Sequence, residues 1–395
     1  GFDDRAWDTA NLVAPPGGKL VSAMLPPARV TEVVKPIAMR EPSPGVFVFD
    51  MGKNFSGWVR LCVQGNAGDE VTLRFAERTY VGGAIDVSNL SLARPTDRYI
   101  LKGGGAETFE PRFTWHGFRY VSVEGYPGKP TLDALEGRFI HTDCPPAGKF
   151  ICDNDMVMRI HECTVTSQRA NVQGLPIDCP QRDERLGWLG DAHISAEEAI
   201  HNLDMAALYT KFLRDARANQ DEKGRISMIV PRPGVEEDLP WTAAYFLIAW
   251  YAYLYYGDTR VFEEHREAME RYLDYLATQA TGNIQKPSLW GDHLAWHEKW
   301  QSASGKPRSI STLFWYVDVL LFSRMNALLG RDADAEKYRA LAEDIAEAYN
   351  AEYLHTDTED EEGDDDGCNG IGDRVPHAGK EDADQAADGG QHIAL

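Results

Sequence analysis

The spacing of apolar residues changes once along this chain, near residue 148, and that change limits the fold to a β part followed by an α part. From about residue 30 to 140 the pattern is short and alternating, broken by Gly, Pro and Asp. Gly45–Asp50, Trp58–Val63, Glu70–Phe75, Arg98–Leu101 and Phe118–Val123 read as period-2 strands at the spacing of an antiparallel β-sandwich. After Pro145-Pro146-Ala147-Gly148 the period becomes helical, with Met156, Val157, Ile160 and Cys163 at i, i+1, i+4 and i+7 behind a cap at Asp153 or Asn154. Helical segments are expected at 154–170, 191–201, 204–220, 241–256, 259–278, 309–329 and 332–352. Their number, lengths and mixture of short and long loops suit part of a helical toroid better than a simple bundle. The uncharged run 239–257 approaches the length of a membrane span, but five tyrosines and a Leu-Pro opening make it a buried helix instead.

Charge narrows the function. The formal net charge is -22, and half of it falls in residues 356–395, where thirteen acidic residues face only Arg374 and Lys380. A field of that sign repels phosphates, so nucleic acid is not an expected partner. The same tail has no Phe, Tyr or Trp, too little apolar surface to offset its ordering entropy, and is expected to be disordered. Its abrupt onset after Leu354-His355 fits a natural acidic tail or a frameshifted reading frame. Six scattered cysteines without a C-x-x-C pair fit buried free thiols, and no signal-peptide pattern opens the chain, so the expectation is a cytoplasmic, non-membrane protein.

The chemistry concentrates in residues 178–191. Asp178, Asp183, Glu184 and Asp191 lie there with Arg182, Arg185 and Trp188, between a Pro-marked loop and a helix opening around Asp191, which that residue is placed to cap. Glycoside cleavage needs an acid kept neutral by burial or by neighbouring anions, and Glu184 has Asp183 and Asp191 for company. Asp178 and Arg182 suit sugar hydroxyls, and Trp188 suits the apolar face of a pyranose. The charge pattern fits equally well a loop whose guanidiniums neutralise its acids while Trp188 fills the core.

The run Asp178-Cys-Pro-Gln-Arg-Asp-Glu-Arg-Leu-Gly-Trp188, with Gly190-Asp191, resembles the signature of bacterial α-L-rhamnosidases of glycoside hydrolase family 78. Asp50–Asn54 with Ser56–Trp58, Gly68–Val71, Phe75–Glu77 and Pro111–Tyr120 resemble the β-domain that precedes the family's catalytic domain. The opening Phe2–Asp4 with Trp7 resembles the end of a further upstream β module. The resemblance covers residues 1–355. It implies the end of an upstream module over 1–29, a β-sandwich over 30–147, and over 148–355 the N-terminal part of an (α/α)6 toroid, incomplete because seven helices are legible where twelve are needed. It also implies an inverting α-L-rhamnosidase without cofactor, acting on terminal rhamnose of glycosides or oligosaccharides. By position, Glu184 resembles the general acid, Asp178, Arg182 and Asp191 the residues that hold rhamnose hydroxyls, and Trp188 a pocket aromatic. Trp241 and Trp290 or Trp296 resemble further pocket aromatics, and Trp290-Gly-Asp292 a Gly-Asp-Trp loop in which His293 replaces the tryptophan. The family's base comes from a late part of the toroid, and no Glu in 356–395 is nominated for it. Uncovered helix faces of half a toroid predict oligomers.

Two i, i+4 pairs, His293 with His297 and His193 with Glu197, have metal-ligand spacing but no third ligand in a zinc motif, so no metal is expected. No Gly-x-Gly-x-x-Gly, P-loop or Gly-x-Ser-x-Gly sequence occurs, which removes nucleotide binding and serine hydrolysis. A non-hydrolysing rhamnose-binding fragment and an (α/α)6 hydrolase of another sugar stay open as alternatives.

Overall fold

A computed structural model describes residues 3–15, 17–291 and 308–354 of the chain. The acidic tail and Asp292, His293, Trp296 and His297 lie outside the described residues. Strands run from β1 (Ala28–Val34) and β2 (Ala38–Ser43) through β3 (Val46–Gln64), β4 (Glu70–Ala76), β5 (Arg78–Thr79), β6 (Ile85–Asp86), β7 (Thr96–Ile100), β8 (Ala106–Phe109) and β9 (His116–Glu124) to β10 (Leu135–Thr142). All pairings between them are antiparallel, in the order β1-β10-β3-β9-β4-β7, with β2 and β8 also on β3.

The strands expected at Gly45–Asp50 and Trp58–Val63 are one strand. β9 pairs with Val46–Asp50 and again with Phe55–Gly57, the register shifting between Asp50 and Phe55, so Gly52-Lys53-Asn54 marks a bend rather than a turn. This bent strand lets the sheet close over one core that includes Phe49, Phe55, Leu61, Leu73, Phe75, Phe118 and Phe139.

Helices follow as α1 (Asp155–Ala170), α2 (Leu189–Ile194), α3 (Ala196–Asn202), α4 (Ala206–Ala218), α5 (Leu239–Thr242), α6 (Ala244–Tyr256), α7 (Arg260–Gln279), α8 (Arg308–Leu328) and α9 (Asp332–Tyr353). Asn154 caps α1, its side chain accepting from Met156 N and Val157 N. The helix expected over 191–201 begins two residues earlier and is interrupted at Ser195. Asp191 therefore stands in the first turn of α2 and is not its cap, because Leu189 N is already taken up by Met228 O at 2.9 Å. The uncharged run forms α5 and α6, with Ala244–Ala249 buried, and none of the helices described is long and apolar enough to cross a membrane. α6 touches α2, α4, α7 and α8, so it is the middle of the helical core, while α1 leaves Met156, Val157 and Ile160 exposed.

Candidate active site

The loop between Ile177 and α2 is shaped by the sheet domain as much as by its own sequence. Its approach is stitched to β10 and β3: Thr142 N donates to Val172 O at 2.8 Å, and Gln173 Nε2 donates to Ile140 O at 2.9 Å and Ser56 Oγ at 3.0 Å. The loop then closes on itself. Asp178 N donates to Leu186 O at 3.1 Å, and Leu186 N donates to Asp178 Oδ1 at 2.6 Å, so residues 178–186 close into a ring. Its exit is fixed where Gly187–Leu189 pairs with Met228–Val230.

Two contacts register the ring against the sheet. Arg185, at a left-handed φ of 54°, sends its guanidinium out of the ring, 4.0 Å above the Trp115 ring, with Nη1 donating to Trp115 O at 2.9 Å. It neutralises none of the loop's acids. Gly117 in β9 lies so close to the loop that a Cβ there would stand 2.9 Å from Gln181 N and 2.9 Å from Pro180 C.

Within and just past the ring, Arg182, Glu184 and Trp188 form one hydrogen-bonded cluster, with Asp178 in ion-pair range of Arg182. Trp188 Nε1 donates to Glu184 Oε1 at 2.9 Å, and Arg182 Nε donates to Glu184 Oε2 at 2.9 Å. Arg182 Nη2 is 2.8 Å from Glu184 Oε2 and 3.7 Å from Asp178 Oδ2, so one guanidinium serves two carboxyl groups. Cys179 Sγ donates to Asp178 Oδ2 at 2.6 Å. Burial pushes the Asp178 carboxyl above the usual aspartate range, against the hydrogen bonds from Cys179 and Leu186 N, and the charge of Glu184 acts in the same direction. Burial, followed by the Asp178 hydrogen bond, pushes the Cys179 thiol up to about 12.

The other predicted residues are placed around this cluster. Trp290, 41% exposed, meets Trp188 edge to face with ring centroids 6.4 Å apart. Trp241 lies against Gly190, where a Cβ would come within 2.6 Å of the indole. Asp191 is exposed on the first turn of α2, three residues past Trp188. Asp183 turns instead to the sheet domain, Leu92 N donating to its Oδ1 at 3.4 Å.

Two buried acids that sequence reading passed over complete the surroundings. Glu237 accepts from Lys286 Nζ at 3.0 Å, and Asp238 accepts from Ser288 Oγ, Leu289 N and Trp290 N at 2.8–3.0 Å. Their signal in the sequence is the acidic triplet before Leu239-Pro240-Trp241, which reads equally well as a solvated turn.

Among the described residues, one group brings metal-ligand atoms together, Asp178, Cys179 and Glu184, within 4.8 Å of one another. Arg182 Nη2, 2.8 Å from Glu184 and 3.7 Å from Asp178, already supplies a positive charge to both carboxyl groups of this group. His193 and Glu197 do not converge: His193 Nε2 binds Pro240 O at 2.9 Å, while Glu197 accepts from the Tyr255 hydroxyl.

Comparison with known proteins bears on this arrangement. Residues 145–371 match the bacterial α-L-rhamnosidase 6 hairpin glycosidase domain, and residues 40–141 match the bacterial α-L-rhamnosidase concanavalin-like domain. The helical match thus continues to 371, past residue 355 where the sequence resemblance stops. An α-L-rhamnosidase of Streptomyces avermitilis is 36% identical over 364 residues, covering 90% of this chain and 34% of that protein. The crystal structure of that organism's enzyme complexed with L-rhamnose superposes with a TM-score of 0.82. The α-L-rhamnosidase structure from Dictyoglumus thermophilum is 43% identical, with a TM-score of 0.84 over 90% of this chain and 40% of that one. The chain spans between 34% and 40% of the length of the curated relatives it matches. A sheet domain and a helical domain matched in this order, the second match alone covering more than half of the chain, place it in the bacterial α-L-rhamnosidase family.

Proposed function

We propose that this chain carries the acid half of an inverting α-L-rhamnosidase site that releases terminal non-reducing α-L-rhamnose from glycosides or oligosaccharides. The observation that carries the reading is the cluster of Asp178, Arg182, Glu184 and Trp188, in which one carboxyl group is oriented at both oxygens by an indole and a guanidinium. In the reaction Glu184 gives its proton to the glycosidic oxygen as the bond to the anomeric carbon breaks. Water attacks from the opposite face, and a second carboxylate takes the water's proton. Arg182 sits between Asp178 and Glu184, so leaning toward Asp178 and the sugar hydroxyls frees the Glu184 oxygen that must carry the proton. Asp191 holds a further hydroxyl, and Trp188, Trp241 and Trp290 present ring faces and edges to the pyranose.

Asp178 is not that base. Its ligand oxygen lies within 4.8 Å of that of Glu184, whereas an inverting pair stands roughly 6.5–9.5 Å apart with water between. A second reading is a chain that binds rhamnose without hydrolysing it, supported by the same cluster, because Asp178 and Arg182 suit sugar hydroxyls whether or not a bond is broken. Exchange of Glu184 for Gln separates the two. Hydrolysis of an aryl α-L-rhamnoside that falls by about 10²–10⁴ in Glu184→Gln supports the enzyme. Equal rates in both proteins sink it, and rhamnose protection against unfolding without turnover establishes the binding role. An aryl glycoside panel checks the sugar, faster cleavage of a non-rhamnoside overturning that choice. Five free cysteines among the described residues, at 62, 144, 152, 163 and 179, support a cytoplasmic setting.

A further inference from the structure

Asp238 is spent in an unusual way. It stands at the N-cap of α5, where an aspartate ordinarily accepts from its own helix, yet it makes no side-chain cap bond. Its buried carboxylate reaches fifty residues along the chain instead. Ser288 Oγ donates to Oδ1 and Oδ2 at 2.8 and 2.9 Å, Leu289 N donates to Oδ1 at 3.0 Å, and Trp290 N donates to Oδ2 at 2.9 Å. Both oxygens are therefore engaged, one with each of two successive backbone amides. The neighbouring Glu237 holds Lys286 of the same segment, and Ser288 Oγ in turn accepts from Gly291 N at 2.8 Å.

The segment so clasped ends in Trp290, whose ring meets Trp188, and Trp188 Nε1 holds Glu184. We propose that Asp238 is a positioning residue of this site: its carboxylate sets where Trp290 stands against Trp188, and so shapes both the aromatic wall met by the sugar and the support of Glu184. The part concerning sugar rests on the rhamnose reading above; the part concerning the two tryptophans does not.

Asp238→Asn tests this, because the Leu289 and Trp290 amides donate to different carboxylate oxygens and the amide sets an NH2 donor against one of them. Two indoles this close couple their transitions, so the free protein should show a near-ultraviolet circular dichroism band that Trp290→Phe abolishes. In Asp238→Asn the band is expected to shrink by at least half, and L-rhamnose, titrated by tryptophan fluorescence, to bind about tenfold more weakly, the loss that goes with one good polar contact. Adding Trp290→Phe to Asp238→Asn should cost little more, the coupling expected of residues acting in series. Lys286→Met, which loosens the same segment through Glu237, should lower the melting temperature and leave the band intact. Ser288→Ala, the milder lesion, serves if the Asn variant fails to fold. The proposal is overturned if Asp238→Asn lowers stability alone while keeping the band that Trp290→Phe removes. If no variant or parent binds L-rhamnose, the rhamnose reading fails and the band still decides the role of Asp238.

Discussion

Adding one methyl group at residue 117 should disturb a site that the methyl never touches. In Gly117→Ala the new Cβ would lie 2.9 Å from Gln181 N, 2.9 Å from Pro180 C and 3.0 Å from Gln181 Cα, all main-chain or α-carbon positions with no rotamer to yield. Relief requires an opening of about half an ångström to reach ordinary van der Waals separation. β9 cannot supply it, because Gly117 is paired with Ser56 in the middle of the sheet. The movement falls on the 178–186 ring, closed between Asp178 and Leu186. Overpacking of this kind costs about 1–3 kcal/mol. In a chain of this size that lowers the melting temperature by roughly 1–4 °C. A shift of half an ångström at Arg182 and Glu184 should weaken L-rhamnose binding about tenfold, the loss of one hydrogen bond to a charged group at about 1.5 kcal/mol. Scanning calorimetry and a fluorescence titration measure the two effects, with Gly82→Ala, where a Cβ meets nothing within 4 Å, as the control. Wild-type melting and affinity in Gly117→Ala would refute the idea that the sheet domain registers the loop.

Three further outcomes follow from the same geometry. Arg185→Lys keeps the charge but loses the planar stack on Trp115 and the donation to its carbonyl, so the urea midpoint should fall by an amount worth about 1–2 kcal/mol; an unchanged midpoint removes the anchor role. Burial raises Asp178, so its folded form holds a proton more tightly than the unfolded chain, and its ionisation costs stability that appears as pH rises above the usual aspartate range. Asp178→Asn, which keeps an acceptor for Leu186 N, should therefore melt closer to wild type at pH 7 than at pH 4, and a gap that is equal or wider at pH 7 contradicts this. Burial takes His265 from an ordinary 6.5 down to about 4, so the unfolded chain binds the proton first and stability is lost as pH falls between those values. His265→Gln, whose amide can still pair with the Tyr245 hydroxyl, should flatten that part of the melting curve against pH; an identical slope assigns the loss elsewhere.

The sequence carried the period change, the order of the two domains and most of the helices, because apolar periodicity is a local property. The early start of α2 was not legible, since it follows from the pairing of Gly187–Leu189 with Met228–Val230, far away in the chain, and at the break Ser195 Oγ donates back to Asp191 O at 2.8 Å. The continuity of β3 was hidden for a similar reason: Gly52 and Gly57 punctuate like turn residues but bend a strand that β9 supports on either side. Within the site, the structure brings Asp178, Arg182, Glu184 and Trp188 of the 178–191 run together, while Arg185, which the salt-bridged alternative set against the loop's acids, lies on Trp115 instead. Asp238 was illegible, because nothing local says that an aspartate at a helix start will hold a tryptophan fifty residues later.

Arg185 on Trp115 and the close seat of Gly117 also decide where such a protein can be cut and rejoined. A chimera joined at residue 148, between strands and helices, looks conservative by composition, yet it gives the acid-bearing loop a foreign surface to rest on. A junction upstream of β1 exchanges whatever precedes the sheet and carries loop and seat across together. Modular recombination in this fold should therefore keep the sheet and the helices packed after it, from β1 through α9, as a single cassette, and comparing the melting transitions of the two chimeras would show whether it does.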